Sequence, residues 1–162
     1  SIESVQLAPH GVVTNIYPAE GNEAGKIDLL HDKDRGEISC YARDNHTVIT
    51  QGPFELKQGD YGIAVRNPVY LTDTNKQQYF WGFTIVILRV PDIFSDSIYA
   101  LSNFGYEYRI SKTASPWSDT YKVVYQSDGS LTQPVSYDFK IGAENWRFEV
   151  PPPKADGEII HL

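Results

Sequence analysis

The sequence predicts an α+β fold: an antiparallel sheet with helices gathered on one side, followed by a smaller β-rich C-terminal part. Three observations carry that expectation. The order along the chain is hairpin, helices, three strands, a helix and then strands again. The run over 79–90 is apolar on both faces, which marks a central strand covered on both sides. After Gly105 the texture changes to short strands separated by turns. The 162 residues therefore divide into 1–104, the main sheet with its helices, and 105–162, a β-rich extension.

Residues 5–17 read as two β-runs around a Pro9-His10-Gly11 turn. A loop follows over 18–22, and 23–30 is a short helical candidate. A second helix is expected over 34–43, with Asp32 or Asp34 able to cap it. Cys40 falls inside it and reads as a buried structural thiol. Residues 46–56 are β-like, interrupted by Gly52-Pro53. The next strand covers 62–70, and strands alternate faces with period two. Ile63, Val65, Asn67 and Val69 form the face expected to pack as core. Gly62, Ala64, Arg66, Pro68 and Tyr70 form the other, where small residues around one long cation predict a hollow with a fixed positive charge. In 79–90, Phe80, Thr84, Val86 and Leu88 share one face, and Trp81, Phe83, Ile85 and Ile87 the other. Pro91-Asp92 opens a helix to about residue 103, stopped by Gly105. Short strands are expected at 106–110, 121–125, 135–141 and 146–150, with a turn at 127–130. The three prolines at 151–153 lead into an extended tail.

A chain of this length buries a core without staples. Its 22% charged residues mark a folded protein, not a disordered one. The net charge of -7, with no Lys/Arg cluster, excludes nucleic-acid binding and docking on anionic lipid. The single cysteine rules out an intrachain disulfide and a cysteine-cluster metal site. No apolar run approaches the length of about 18 residues that a membrane helix needs, and no signal-peptide pattern is present. The absence of methionine points to an excised fragment or processed chain, so any membrane spans of the parent would lie outside it.

Catalytic signatures are missing: no Gly-x-Ser-x-Gly, no phosphate-binding Gly-x-x-x-x-Gly-Lys loop, no His-Glu-x-x-His. His10, His31, His46 and His161 are scattered in turns or at the end and read as solvated loop residues. No metal and no cofactor is predicted. An enzyme built on Asp34 with Glu37 or His46 would need two convergent titratable groups, and the spacing offers no nucleophile–base pair. Arg66 has two readings. It can be a structural partner of a buried carboxylate such as Asp34, or a clamp for a ligand carboxylate, whose geometry guanidinium matches. Tyr70, Trp81 and Phe83 read as core aromatics, with one or two free to line a pocket wall.

Several short pieces follow one another over residues 4–94: Leu7-Ala-Pro-His-Gly-Val-Val13, Tyr17-Pro-Ala-Glu-Gly-Asn22, Ile27-Asp-Leu-Leu30, Ala42-Arg-Asp44, Gly52-Pro-Phe-Glu-Leu56, Asn67-Pro-Val-Tyr70 and Trp81-Gly-Phe83. As an ordered set they resemble the CHASE domain, the extracytoplasmic sensory domain of histidine kinases, diguanylate cyclases and related receptors. Trp146-Arg-Phe-Glu-Val-Pro151 looks like the closing strand of such domains. The resemblance implies a PAS-like sheet with a ligand pocket between sheet and helices. It also implies a parent anchored in the membrane by helices on both sides. In the plant cytokinin receptors of this family an acidic residue in the helix before the central strands binds the adenine ring. Counting back from Gly52-Pro-Phe54 places Asp34 there. A threonine just before that step corresponds to Thr50 or Gln51. Where those receptors commonly carry threonine on the next strand, this chain has Arg66, which argues against a neutral cytokinin and for an anionic ligand.

The resulting expectation is a non-catalytic, extracytoplasmic small-molecule sensor of a transmembrane receptor, a histidine kinase or diguanylate cyclase. Its 1–104 part would bind the ligand, and its 105–162 part would be membrane-proximal. The ligand would be a carboxylate, an amino acid, a peptide or an adenine-like molecule. Asp34, Thr50, Gly62, Ala64, Arg66, Tyr70 and Trp81 would contact it. The full-length receptor would be a homodimer. The rival reading is a protein-interaction module whose pocket is filled, with Arg66 paired to Asp34.

Overall fold

A computed structural model describes residues 2–19, 25, 27–57 and 59–153. Two antiparallel sheets organise it. The larger is built from β1 (Ile2–Pro9), β2 (Asn15–Tyr17), β3 (Ile49–Glu55), β4 (Tyr61–Thr72) and β5 (Gln78–Val90), in spatial order β2-β1-β5-β4-β3. The smaller holds β6 (Arg109–Thr113), β7 (Tyr121–Gln126), β8 (Val135–Ile141) and β9 (Glu144–Val150), in order β7-β6-β9-β8. Helix α1 (Gly36–Asn45) lies between β2 and β3. A 3₁₀ turn (Asp92–Phe94) and α2 (Ser95–Asn103) connect the sheets.

Strand β5 is the middle strand of the larger sheet, as its two apolar faces require. It pairs with β1 on one side, with Gln6 opposite Ile85, and with β4 on the other, with Arg66 opposite Ile85. Helix α1 forms where Asp32 turns the chain. Its carboxylate accepts the amides of Asp34 and Arg35 at 3.0 and 2.9 Å, satisfying donors that a helix start leaves open. The helix ends at His46, whose left-handed backbone (φ 49°) lets its N–H reach the carbonyls of Ala42 and Arg43.

Two cores result. Ile38 and Ala42 of α1 pack with Val13 and Leu29 over Ala8, Ile49, Ala64, Phe83, Ile85 and Ile87 of the larger sheet. The second core joins the sheets: Ile63 and Val90 meet Ile110, Val124 and Trp146, with Ile93 and Phe94 beside them.

Several expectations are corrected. On β4 the buried face is Gly62, Ala64, Arg66 and Pro68, because this side faces α1. On the opposite side Val65 and Val69 are half-buried, Asn67 is exposed, and Ile63 alone is fully buried, against the second core. On β5 the register shifts so that Val69 faces Gly82 and Tyr70 faces Phe80, leaving Trp81 as the extra residue of a β-bulge. Phe80 thereby joins the face of Phe83, on which its ring packs edge-on at 5.1 Å. Gly82 suits the bulge, since a Cβ there would come within 2.1 Å of the Ala8 carbonyl. The strand expected at 106–110 begins at Arg109 and runs on to Thr113. Of the helix expected at 23–30, residues 23, 24 and 26 lie outside the described residues, and 27–30 are not helical. Cys40 is half-buried, its thiol 3.7 Å from the Leu30 carbonyl. No helix among the described residues is long and apolar enough to cross a membrane.

Candidate ligand-binding site

A cavity of about 670 Å³ opens over the helix-bearing face of the larger sheet. The strand register builds its floor. One cross-strand row is Ser4, Ile87, Ala64 and Gln51; the next holds Gln6, Ile85 and Arg66. Cross-strand partners point to the same side, so these side chains converge. Ala64 and Ser4 are short, which leaves the hollow. The walls come from the segment before α1, including Ile27, Asp34 and Arg35, and from the end of β3, including Pro53, Phe54 and Leu56.

Arg66 is the charged group at the bottom of this hollow. It is 4% exposed, yet it pairs with no carboxylate among the described residues. One guanidinium nitrogen donates to the Gln51 side-chain oxygen at 2.5 Å, while Nε is buried without a partner. Burial, and then the nearby charge of Arg35, pushes its pKa down to about 10, against the pull of Asp32 and Glu144. Gln51 also donates to the Asp34 backbone carbonyl at 2.9 Å, tying the cavity wall to the floor. Arg35 is held by Asp32 at 3.2 Å.

The structure brings Asp34, Ala64 and Arg66 together around the cavity, Asp34 with an exposed side chain at its wall. The other expected contact residues lie apart from its lining. Thr50 pairs with Val65 and so faces the opposite side of the sheet, where it is buried; Gln51 is the residue turned to the cavity. Gly62 is packed under Leu56, whose Cδ2 a Cβ would meet at 2.8 Å. Tyr70 shares the face of Arg66 but sits under the far end of α1. It donates its hydroxyl to the Arg43 carbonyl, and its ring stacks on His46 at 4.0 Å. Trp81 occupies the bulge, its carbonyl accepting the His10 amide at 2.7 Å. Arg35, Ser4 and Gln6 escaped the sequence reading. The period-two alternation Ser4, Gln6, Ala8, opposite Val5 and Leu7 on β1, was the signal available for the last two.

Asp34 and His46 flank opposite ends of α1, so they do not form a catalytic pair. No group of three His, Cys, Asp or Glu side chains among the described residues is placed to hold a metal. A PAS-like sheet with an open cavity over one face and, among the described residues, one buried cation lining it fits the class of ligand-binding sensor domains. The CHASE domain family matches residues 3–120, and the chain belongs to it. It is thus an extracytoplasmic, non-catalytic sensor domain. A search of curated proteins gives no match. Among solved structures, the chain is similar to an extracellular ligand-binding receptor from Desulfohalobium retbaense DSM5692. The TM-score is 0.61 at 14% identity, covering 92% of this chain and 30% of that one. It is also similar to the ligand-binding domain of the amino-acid chemoreceptor PctC from Pseudomonas aeruginosa PAO1, in complex with GABA. There the TM-score is 0.57 at 12% identity, covering 92% of this chain and 73% of the other. The chain therefore spans about a third of the first of these proteins.

Proposed function

We propose that this domain senses a small anionic ligand whose acidic group binds at Arg66, in a membrane-anchored receptor with a kinase or cyclase output. The observation that carries the reading is the buried guanidinium that lines an open cavity and has no carboxylate partner among the described residues. A buried charge without a partner is costly, and a ligand carboxylate would relieve that cost with bidentate hydrogen bonds. The rival interaction module requires a filled pocket and an Arg66–Asp34 pair; the open cavity and the Gln51 contact support sensing instead. Asp34 stands as a polar anchor at the wall. Residues 1–104 bind, and 105–162 carry the conformational signal toward the membrane in a homodimeric receptor. That signal requires the ligand to prefer one of two conformations.

A thermal-shift screen against small carboxylates, amino acids, nucleobases and cytokinin-like adenines tests this. A ligand at 100 times its Kd stabilises by about 2.7 kcal/mol. Acids should give the hits, and Arg66→Ala should abolish them while the variant stays folded. Hits confined to adenines, or acid binding unchanged in Arg66→Ala, would remove Arg66 from the site.

A further inference from the structure

The cavity distinguishes its charged groups by depth. Arg66 is the fully buried one among the charged side chains that line it. Asp34, Glu55, Lys57 and Lys122 are exposed, and Glu3 and Arg35 are held by Arg89 and Asp32 at 2.5 and 3.2 Å. Apolar side chains make up part of the lining beside these charges: Ala64 and Ile87 on the floor, and Leu56, Pro53, Phe54 and Ile27 in the walls. Leu56, Pro53 and Ile27 are half-buried, and Phe54 is 38% exposed, so these side chains present area that a ligand can cover.

We propose that the ligand is a monoanion with an apolar body: its acid group caps Arg66, and its hydrocarbon or aromatic part lies along Ile87, Leu56, Pro53 and Phe54. This rests on the reading that Arg66 receives the acid. A second charge on the ligand, carried onto this wall, would lose its water without gaining a buried partner. An apolar body there gains by covering Phe54 and Leu56.

The test is a titration of the wild-type chain with the straight-chain monocarboxylates from acetate to octanoate, alongside GABA and glutarate as charged-tail partners of butanoate and pentanoate. Affinity should rise roughly threefold to fourfold per added methylene, the gain for burying one, until the wall is covered. Butanoate should bind more tightly than GABA, and pentanoate more tightly than glutarate. Phe54→Ser, at an exposed position, should flatten the dependence on length. Equal affinity at every length, or tighter binding of GABA or glutarate, would overturn the apolar-body proposal while leaving the anion site standing. Failure of every acid to bind, with the same silence in Arg66→Ala, would overturn both.

Discussion

Two of the places where the described residues bury a charge treat it differently. At the junction of the sheets, Glu144 is fully buried at the start of β9. Both its oxygens lie 3.0 Å from the Thr50 amide of the edge strand β3, which donates to them. Lys112, also fully buried, supplies the opposing charge and donates to the Thr113 carbonyl at 2.7 Å. The β8–β9 turn closes the same edge through the Ala143 amide, 3.0 Å from the Val48 carbonyl. An edge strand that would otherwise present open groups is thereby covered. At the cavity, Arg66 is also buried, but among the described residues its hydrogen-bond partner is a neutral amide and its Nε has none. The first charge is met inside the chain by a backbone donor and by the field of Lys112. The second has no such answer among the described residues, which is the ground for the proposed acid site.

Truncation separates the two most sharply. Glu144→Ala leaves Lys112 buried without its counter-charge and Thr50 N–H without an acceptor, and should cost about 3–5 kcal/mol in urea unfolding. Arg66→Met replaces an unpaired cation with an apolar chain of similar length, so stability should stay within about 1 kcal/mol or rise. A loss at Arg66 as large as at Glu144 would mean that the cavity arginine is also a structural group.

How far the sequence led follows from the range of each interaction. Period-two alternation puts Ala64 and Arg66 on one face, and the length and apolarity of 79–90 make β5 central; both are local properties. Register is not local. A one-residue step separates Thr50 from Gln51, and that step decides which side of the sheet each serves. The bulge at Trp81 depends on where β4 pairs, and nothing within 79–90 announces it except Gly82. Glu144 was invisible because its partner Thr50 is 94 residues away. A lone glutamate after a turn otherwise reads as solvated.

The pH dependence of stability should carry the Glu144 contribution. Burial pushes its carboxyl above the usual value of 4.5, with the Thr50 amide and the Lys112 charge opposing. The folded state then holds this proton more tightly than the unfolded chain, so the contribution is complete below the unfolded value and declines as pH rises through the folded one. Asp32, Asp44 and Asp138, whose values are lowered, run the other way. The difference between wild type and Glu144→Gln isolates the one residue. Wild type should lose stability relative to the variant as pH climbs from about 4.5. A difference that is flat with pH would show that Glu144 ionises without penalty.

Two tryptophans give a further comparison. Trp146 is 1% exposed in the second core, where its ring lies 6.3 Å from those of Phe94 and Phe139. Trp146→Ala should cost about 3–5 kcal/mol, the range for a buried aromatic. Trp81 reads from the sequence as a core residue of the central strand β5, and by that reading its truncation should cost about 3 kcal/mol as well. The bulge changes that estimate. Trp81 is half-buried, lies outside the cross-strand register, and holds its neighbour strand through its carbonyl, which alanine keeps. Only the covered part of the ring is lost, so Trp81→Ala should cost about 1–2 kcal/mol. Equal losses for the two would put Trp81 back into the core and its register back to strict alternation. Phe80 would then return to the outer face, and the sequence reading of β5 would stand in place of the bulged one.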